Sequence, residues 1–183
     1  MTVSGWPEPY LQPNPREDCG YYAAAYIARC LGRMDVTAEQ VKAWRQATTR
    51  HEAYFAEAEI GAEVRRFWDV YGEEPERKVF WLGPGAEAWV RGWLDGGWIA
   101  HVNVHRIREM GHAVALLGYD DVGVQLMDPV SGHVTEPWGW FLGPGARNGR
   151  SEKHWPGSAP DVRDWYGCHF IEGWYRLPEG VAT

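Results

Sequence analysis

Three side chains in this sequence have the chemistry and the surroundings that covalent hydrolysis requires. Cys19 stands in Arg16-Glu17-Asp18-Cys19-Gly20, directly ahead of an apolar run that ends at Leu31. That puts it at the first position of a buried helix. A thiol attacks only once it has ionised, at about pH 8.5 for a free cysteine, and a helix N-terminus or a nearby imidazolium lowers that threshold. Gly20 leaves room for a substrate backbone beside the sulfur. Most cysteines on apolar helices are structural. Cys30 fits that description, whereas Cys19 lies at a polar loop-to-helix junction.

The base that takes the thiol proton should be a histidine, because its pKa lies near working pH. Seven are available, and His112 differs from the others by following Gly111 and opening the most apolar segment of the chain. The other six read as surface or loop positions, or share a strand with polar neighbours. A satisfied core histidine is the competing reading of His112. A base also needs a third group to fix its tautomer. Asp128 ends the following strand, just before Pro129, and the turn at 120–123 folds that strand back toward His112. With Tyr119 near Val124, the walk is seven residues back to His112 and four forward to Asp128, so the register is uneven. An Asp-Pro turn at a strand end is the competing reading of Asp128.

These residues need elements to hold them. The segment from Trp6 to Pro15 is proline-rich and should be extended. Asp18 suits the N-cap of a helix over Cys19–Leu31, and Gly32 suits its end. Thr37 and Gln40 have capping-box spacing and open a second helix through about Ala47. A third helix is predicted from about Ala53 to Tyr71, with Ile60, Val64, Phe67, Trp68 and Tyr71 as its apolar stripe and Gly72 as its stop. Lys78 to Leu82 reads as a short strand and Ala86 to Leu94 as a short helix. The period then changes. Trp98–Val104, His112–Tyr119, Val124–Met127, His133–Glu136 and Cys168–Leu177 read as strands, with residues 143–167 as a long surface loop. Helices followed by antiparallel strands predict an α+β fold. We expect one domain over residues 1–183, its helical part at about 16–96 and its sheet part at about 98–177.

Composition narrows the function. A chain of 183 residues with 45% hydrophobic residues can bury a core without staples, and its net charge of −7 argues against a nucleic-acid binder. The three cysteines form no CxxC pair and no disulfide framework. His101 and His105 would face one way on a strand but lie about 13 Å apart, too far to share a metal. No metal and no cofactor is expected. Neither a signal peptide nor a membrane span is visible, so the protein is expected to be cytoplasmic as synthesised, with release to the cell wall by another route left open, and to have no membrane partner. The 12 tryptophans serve packing, or offer a stacking surface for sugars or peptides. Oligomeric state is not readable.

Taken together, Gln12, Asp18-Cys19-Gly20, Gly111-His112-Ala-Val-Ala-Leu-Leu-Gly118-Tyr-Asp120 and Asp128-Pro129 resemble the papain-like cysteine peptidases, in particular their C39-like branch. The resemblance spans residue 12 to about 140. It implies a papain-like fold, with the nucleophile at a buried helix start and the helices packed on the sheet. It further implies that Cys19 attacks an amide carbonyl, His112 moves the proton and Asp128 orients His112. Gln12, with the Cys19 N–H, would form the oxyanion hole. Gln12 precedes Cys19 by seven positions where the family has about six, and Pro13 and Pro15 are expected to absorb the extra residue. The implied substrate is a peptide. Relatives process leader peptides or lyse cell walls; without transporter segments, peptidoglycan peptides are the expected target, as for a phage or bacterial lysin. Transferases, deamidases and non-catalytic binding domains that use a Trp-rich surface share the fold and are the alternatives. Substrate preference is expected from loops 51–58, 105–111 and 143–167.

Overall fold

A computed structural model describes residues 5–14, 18–47, 64–65, 86–106, 109–142 and 167–180. Helix α1 spans Cys19–Cys30 and α2 spans Ala38–Ala47. The end of α1 is fixed by Gly32, whose φ of 89° lets the Gly32 N–H reach Arg29 O (3.0 Å) and the Arg33 N–H reach Ala28 O (2.9 Å). The start of α2 is the expected reciprocal cap: the Thr37 N–H donates to Gln40 Oε1 (2.8 Å) and the Gln40 N–H to Thr37 Oγ1 (3.2 Å). Asp18 departs from expectation. Its backbone is left-handed and its side chain caps nothing in α1.

A two-residue strand β1, Val64–Arg65, comes next, followed by helix α3 (Ala86–Asp95). Strands β2 (Trp98–Arg106), β3 (Glu109–Tyr119), β4 (Gly123–Asp128) and β5 (Gly132–Pro137) lead into a one-turn helix α4 (Trp138–Phe141) and the last strand β6 (Gly167–Arg176). All pairings are antiparallel, in the order β1-β6-β2-β3-β4-β5. The helix predicted over Ala53–Tyr71 is therefore wrong at Val64–Arg65, which pair with Tyr175 and Trp174 at the sheet edge. The rest of that segment, the strand expected at Lys78–Leu82 and, of the loop expected over 143–167, residues 143–166 lie outside the described residues, while Gly167 already belongs to β6. Helix α4, which begins directly after Pro137, was not anticipated.

Both faces of the sheet are covered. Ala24, Ala25 and Ala28 of α1 pack with Ile99, Ala115, Leu117, Met127 and Tyr175, joined by Val36 and Val41. Val90 and Leu94 of α3 and Phe141 of α4 pack with Ala100, Val102, Val104, Val114, Leu116, Val124 and Leu126. So the helices do not form one body stacked on the sheet: α3 and α4 take the face opposite α1. Double coverage also explains why Ala113–Leu117 is an unbroken apolar run rather than an alternating one. Among the described residues no helix is long and apolar enough to cross a membrane.

Backbone approach is closest at Gly123, where an added Cβ would run into the carbonyl of Glu136 on the paired strand. Gly123→Ala should lower stability by about 1–3 kcal/mol, read as a lower urea midpoint at unchanged m-value. An unshifted midpoint would contradict this packing of β4 against β5.

Candidate active site

Cys19 is the first residue of α1 and is only partly exposed. The alanines behind it bring the helix close to the sheet, so that its thiol meets β3. The β3–β4 ladder stops at Ala115↔Met127, and past that last pair the Ala113 N–H donates to Cys19 Sγ (3.4 Å). His112, the residue before Ala113 on β3, acts on the sulfur electrostatically.

His112 is buried and opposes Val104 of β2. Its Nε2 lies 2.9 Å from Oδ1 of Asp128, which is fully buried at 0% exposure. With Nε2 engaged there, Nδ1 is the ring nitrogen left for the thiol. The same Asp128 oxygen accepts the N–H groups of Val130 (2.7 Å) and Ser131 (3.3 Å). Asp128 therefore makes the strand-ending turn and holds the histidine at once; the two readings of this residue were not exclusive.

A bulge makes that pairing possible. Tyr119↔Val124 and Gly118↔Gln125 are in register, but Leu116 then pairs with Leu126, so Leu117 is an extra residue. Continued without the bulge, Asp128 would oppose Ala115 and lie on the pleat face opposite to His112. With it, the register carries Asp128 opposite Val114, two residues from His112 and on its side of the pleat.

The electrostatics follow from burial and partners. Burial on its own would push the Cys19 thiol up. Its hydrogen bonds to His112 and the Ala113 N–H, the charge of His112 and the Gly20 N–H outweigh that and leave it below the ordinary thiol value. Burial likewise opposes a charged His112. Its hydrogen bonds to Asp128 and Cys19, with the charges of both, outweigh burial and raise it from 6.5 to about 9. The pair thus favours thiolate and imidazolium. The other two cysteines move the opposite way: burial pushes Cys30 up to about 12 and drives Cys168 far up.

Gln12 lies beside the same turn. Its N–H donates to Pro129 O (2.8 Å), and its side chain is buried with neither amide atom partnered among the described residues. The segment that carries it is tied down. Tyr26 Oη donates to Pro7 O (2.9 Å) and accepts from His133 Nε2 (2.7 Å). The Tyr10 ring lies under the Arg29 guanidinium, 3.7 Å from its carbon, and against Tyr22.

Two neighbours of the site were missed by sequence reasoning. His101 is 1% exposed, not a surface residue among polar neighbours, and its Nε2 lies 3.3 Å from Gly20 O. Its position between Ala100 and Val102 was the available signal. Lys42 of α2 holds Asp18 at 2.8 and 3.1 Å, and nothing local marks it. Among the described residues no group of three or more His, Cys, Asp or Glu is placed to hold a metal. A separate open groove of about 250 Å³ is lined by Trp89, Trp93, Trp98, Ala88, Gly92 and Gly96 on and after α3.

No family model and no curated protein matches the chain. Among solved structures it is similar to a double glycine motif protease from an AMS/PCAT transporter, determined in complex with the leader peptide. The two are 20% identical over 75% of this chain and 85% of that one, with a TM-score of 0.39.

Alkylation should separate the three thiols. Iodoacetamide should add once to the folded protein, at Cys19, and peptide mapping should find Cys30 and Cys168 unmodified. His112→Ala should move the Cys19 alkylation midpoint to higher pH. Modification confined to Cys30 or Cys168 would overturn this account of the thiols.

Proposed function

We propose that the protein is a papain-like cysteine peptidase of the C39-like kind, which hydrolyses peptide amides through Cys19, His112 and Asp128. The observation that carries the reading is the meeting of the Cys19 thiol with β3 at the Ala113 N–H, beside His112, whose imidazole is held by the fully buried Asp128 carboxylate. In this reading the Cys19 thiolate adds to the substrate carbonyl carbon, and the electron pair moves onto oxygen. The Cys19 N–H and the side-chain amide of Gln12 receive that oxyanion, an arrangement consistent with a buried amide that has no partner among the described residues. As the carbonyl re-forms, the C–N bond breaks and His112 gives its Nδ1 proton to the departing amine. A thioester on Cys19 remains. Neutral His112 then takes a proton from water, the hydroxide adds to the thioester, and collapse expels the thiolate beside imidazolium and leaves a carboxylic acid, which gives its proton to solvent. Asp128 keeps the imidazole in the tautomer that presents Nδ1 to sulfur throughout.

The test is hydrolysis of a mixed peptide pool, read by mass spectrometry as new termini. Wild-type protein should cleave, while Cys19→Ala and His112→Ala should fall to background. Gln12→Ala should lower kcat by about 10²–10³ with little change in KM. An acyl adduct on Cys19 should be trapped by acid quench. If Cys19→Ala cleaved as well as wild type, the reading would be wrong. If the adduct were released only to added amines and not to water, the chemistry would be transfer.

Within peptides, we propose those of bacterial peptidoglycan as substrate. The supporting observation is the tryptophan-lined groove, since indole faces stack on sugar rings. Purified walls should yield new amino groups on digestion. Walls left intact by a preparation that cleaves free peptides would remove this substrate and keep the peptidase.

The pH dependence has a defined sign. The thiolate–imidazolium pair exists above the lowered Cys19 value and below the raised His112 value, and both belong to the pair. A plot of kcat/KM should therefore rise as pH passes the lowered Cys19 value and fall above about pH 9 as the imidazolium is lost. A rate that kept rising with pH through 9 would contradict the ion pair.

A further inference from the structure

Asp18, one residue before the thiol, has φ 72° and ψ 4°, and it is the only non-glycine among the described residues with positive φ. A capping aspartate holds extended backbone, so that its carboxylate can bend onto the N–H groups two and three residues later. Left-handed Asp18 does not cap. Its main-chain carbonyl takes the N–H groups of Tyr21 (2.9 Å) and Tyr22 (3.1 Å), while its carboxylate swings out to Lys42 Nζ, 2.8 and 3.1 Å from the two oxygens. The Lys42 ammonium also lies 5.6 Å from the centre of the Tyr21 ring. A helix is thus started without the negative charge that usually stabilises its first turn.

We propose that Lys42 is a positioning residue, which draws the Asp18 carboxylate off the start of α1 so that, among the described residues, no carboxylate lies against the Cys19 thiolate there. The inference rests on Cys19 being the nucleophile. One consequence makes the placement matter. A carboxylate folded onto the first turn would repel the thiolate and favour the neutral thiol. Among the described residues, the other charged and titratable groups around this turn are His112 of β3 with Asp128 of β4 behind it, His101 of β2 at the Gly20 carbonyl, and Glu39 of α2, which acts on Tyr22. Lys42 stands against Asp18 and is half-exposed, so its removal leaves the core intact.

The experiment measures the rate of Cys19 alkylation by iodoacetamide against pH in the full chain, alongside peptide hydrolysis. Lys42→Met should raise the alkylation midpoint by about one pH unit and lower kcat about tenfold at unchanged KM. Lys42→Arg should keep the wild-type profile. Adding Asp18→Gly to Lys42→Met should return the midpoint to its wild-type position, because glycine keeps the positive φ and brings no carboxylate. A Lys42→Met profile that superimposes on wild type would overturn the proposal. So would a double variant as shifted as Lys42→Met, since that would mean Lys42 acts only by holding α2 to α1. If peptides are not cleaved by any form, the peptidase reading fails, and the alkylation profiles still decide the role of Lys42.

Discussion

The geometry of the site depends on one surplus residue in β3. A regular hairpin from the turn at 120–123 would send the carboxylate of Asp128 to one side of the pleat and the ring of His112 to the other. The bulge at Leu117 changes the parity, and a change of parity is the whole difference between a 2.9 Å contact and none. Once on the same side, the carboxylate is fully buried, which would be costly if it stood alone. Three N–H donors converge on its one oxygen, two from the turn it begins and one from the imidazole. The turn and the histidine contact therefore support each other: the backbone bonds that end β4 also fix the direction in which the carboxylate faces His112.

The nucleophile's helix reaches this point by being thin. Ala23, Ala24, Ala25 and Ala28 are essentially fully buried, and side chains of that size allow α1 to lie near the strands it crosses. The larger residues of the same helix do other work. Tyr26 crosses to Pro7 and His133, so the helix that carries Cys19 also anchors the segment that carries Gln12. Gln12 in turn bonds to Pro129, the residue after Asp128. The three parts of the candidate site are thus tied to one another through a single helix and a single turn. The uneven spacing between Gln12 and Cys19 is of little consequence in such an arrangement, because Gln12 is placed by β-turn contacts and not by its distance along the chain.

What could be read in the sequence was what local chemistry controls. The Thr37–Gln40 cap, the Gly32 stop and the turn before Val124 each follow from residues within a few positions, and that turn brought Asp128 back toward His112 without fixing the side of the pleat on which it would lie. Long-range partners defeated the rest. Val64 fits a helical stripe, yet two residues there pair with the edge of β6, over 100 positions later. Asp18 has the chemistry of a cap, and Lys42 takes its carboxylate. The bulge was hidden for a related reason: in a sheet buried on both faces, Leu116 and Leu117 are both apolar, so the sequence carries no alternation from which a slipped register would show. Helix α4 is a single turn, too short for any periodicity.

Burial is the largest single influence on both Cys19 and His112, and it opposes the charge of each. Each favours the charge of the other, and the buried Asp128 carboxylate tips the pair toward thiolate and imidazolium over neutral thiol and neutral ring. Coupling of this kind makes the site sensitive to any further charge placed close to it. A sheet covered on both faces leaves its strand ends as the places where a polar group can meet solvent, and β3 outruns β4 at such an end. The reactive sulfur sits there, close enough to water for a substrate to arrive and deep enough for three ionisable groups to set one another's charge.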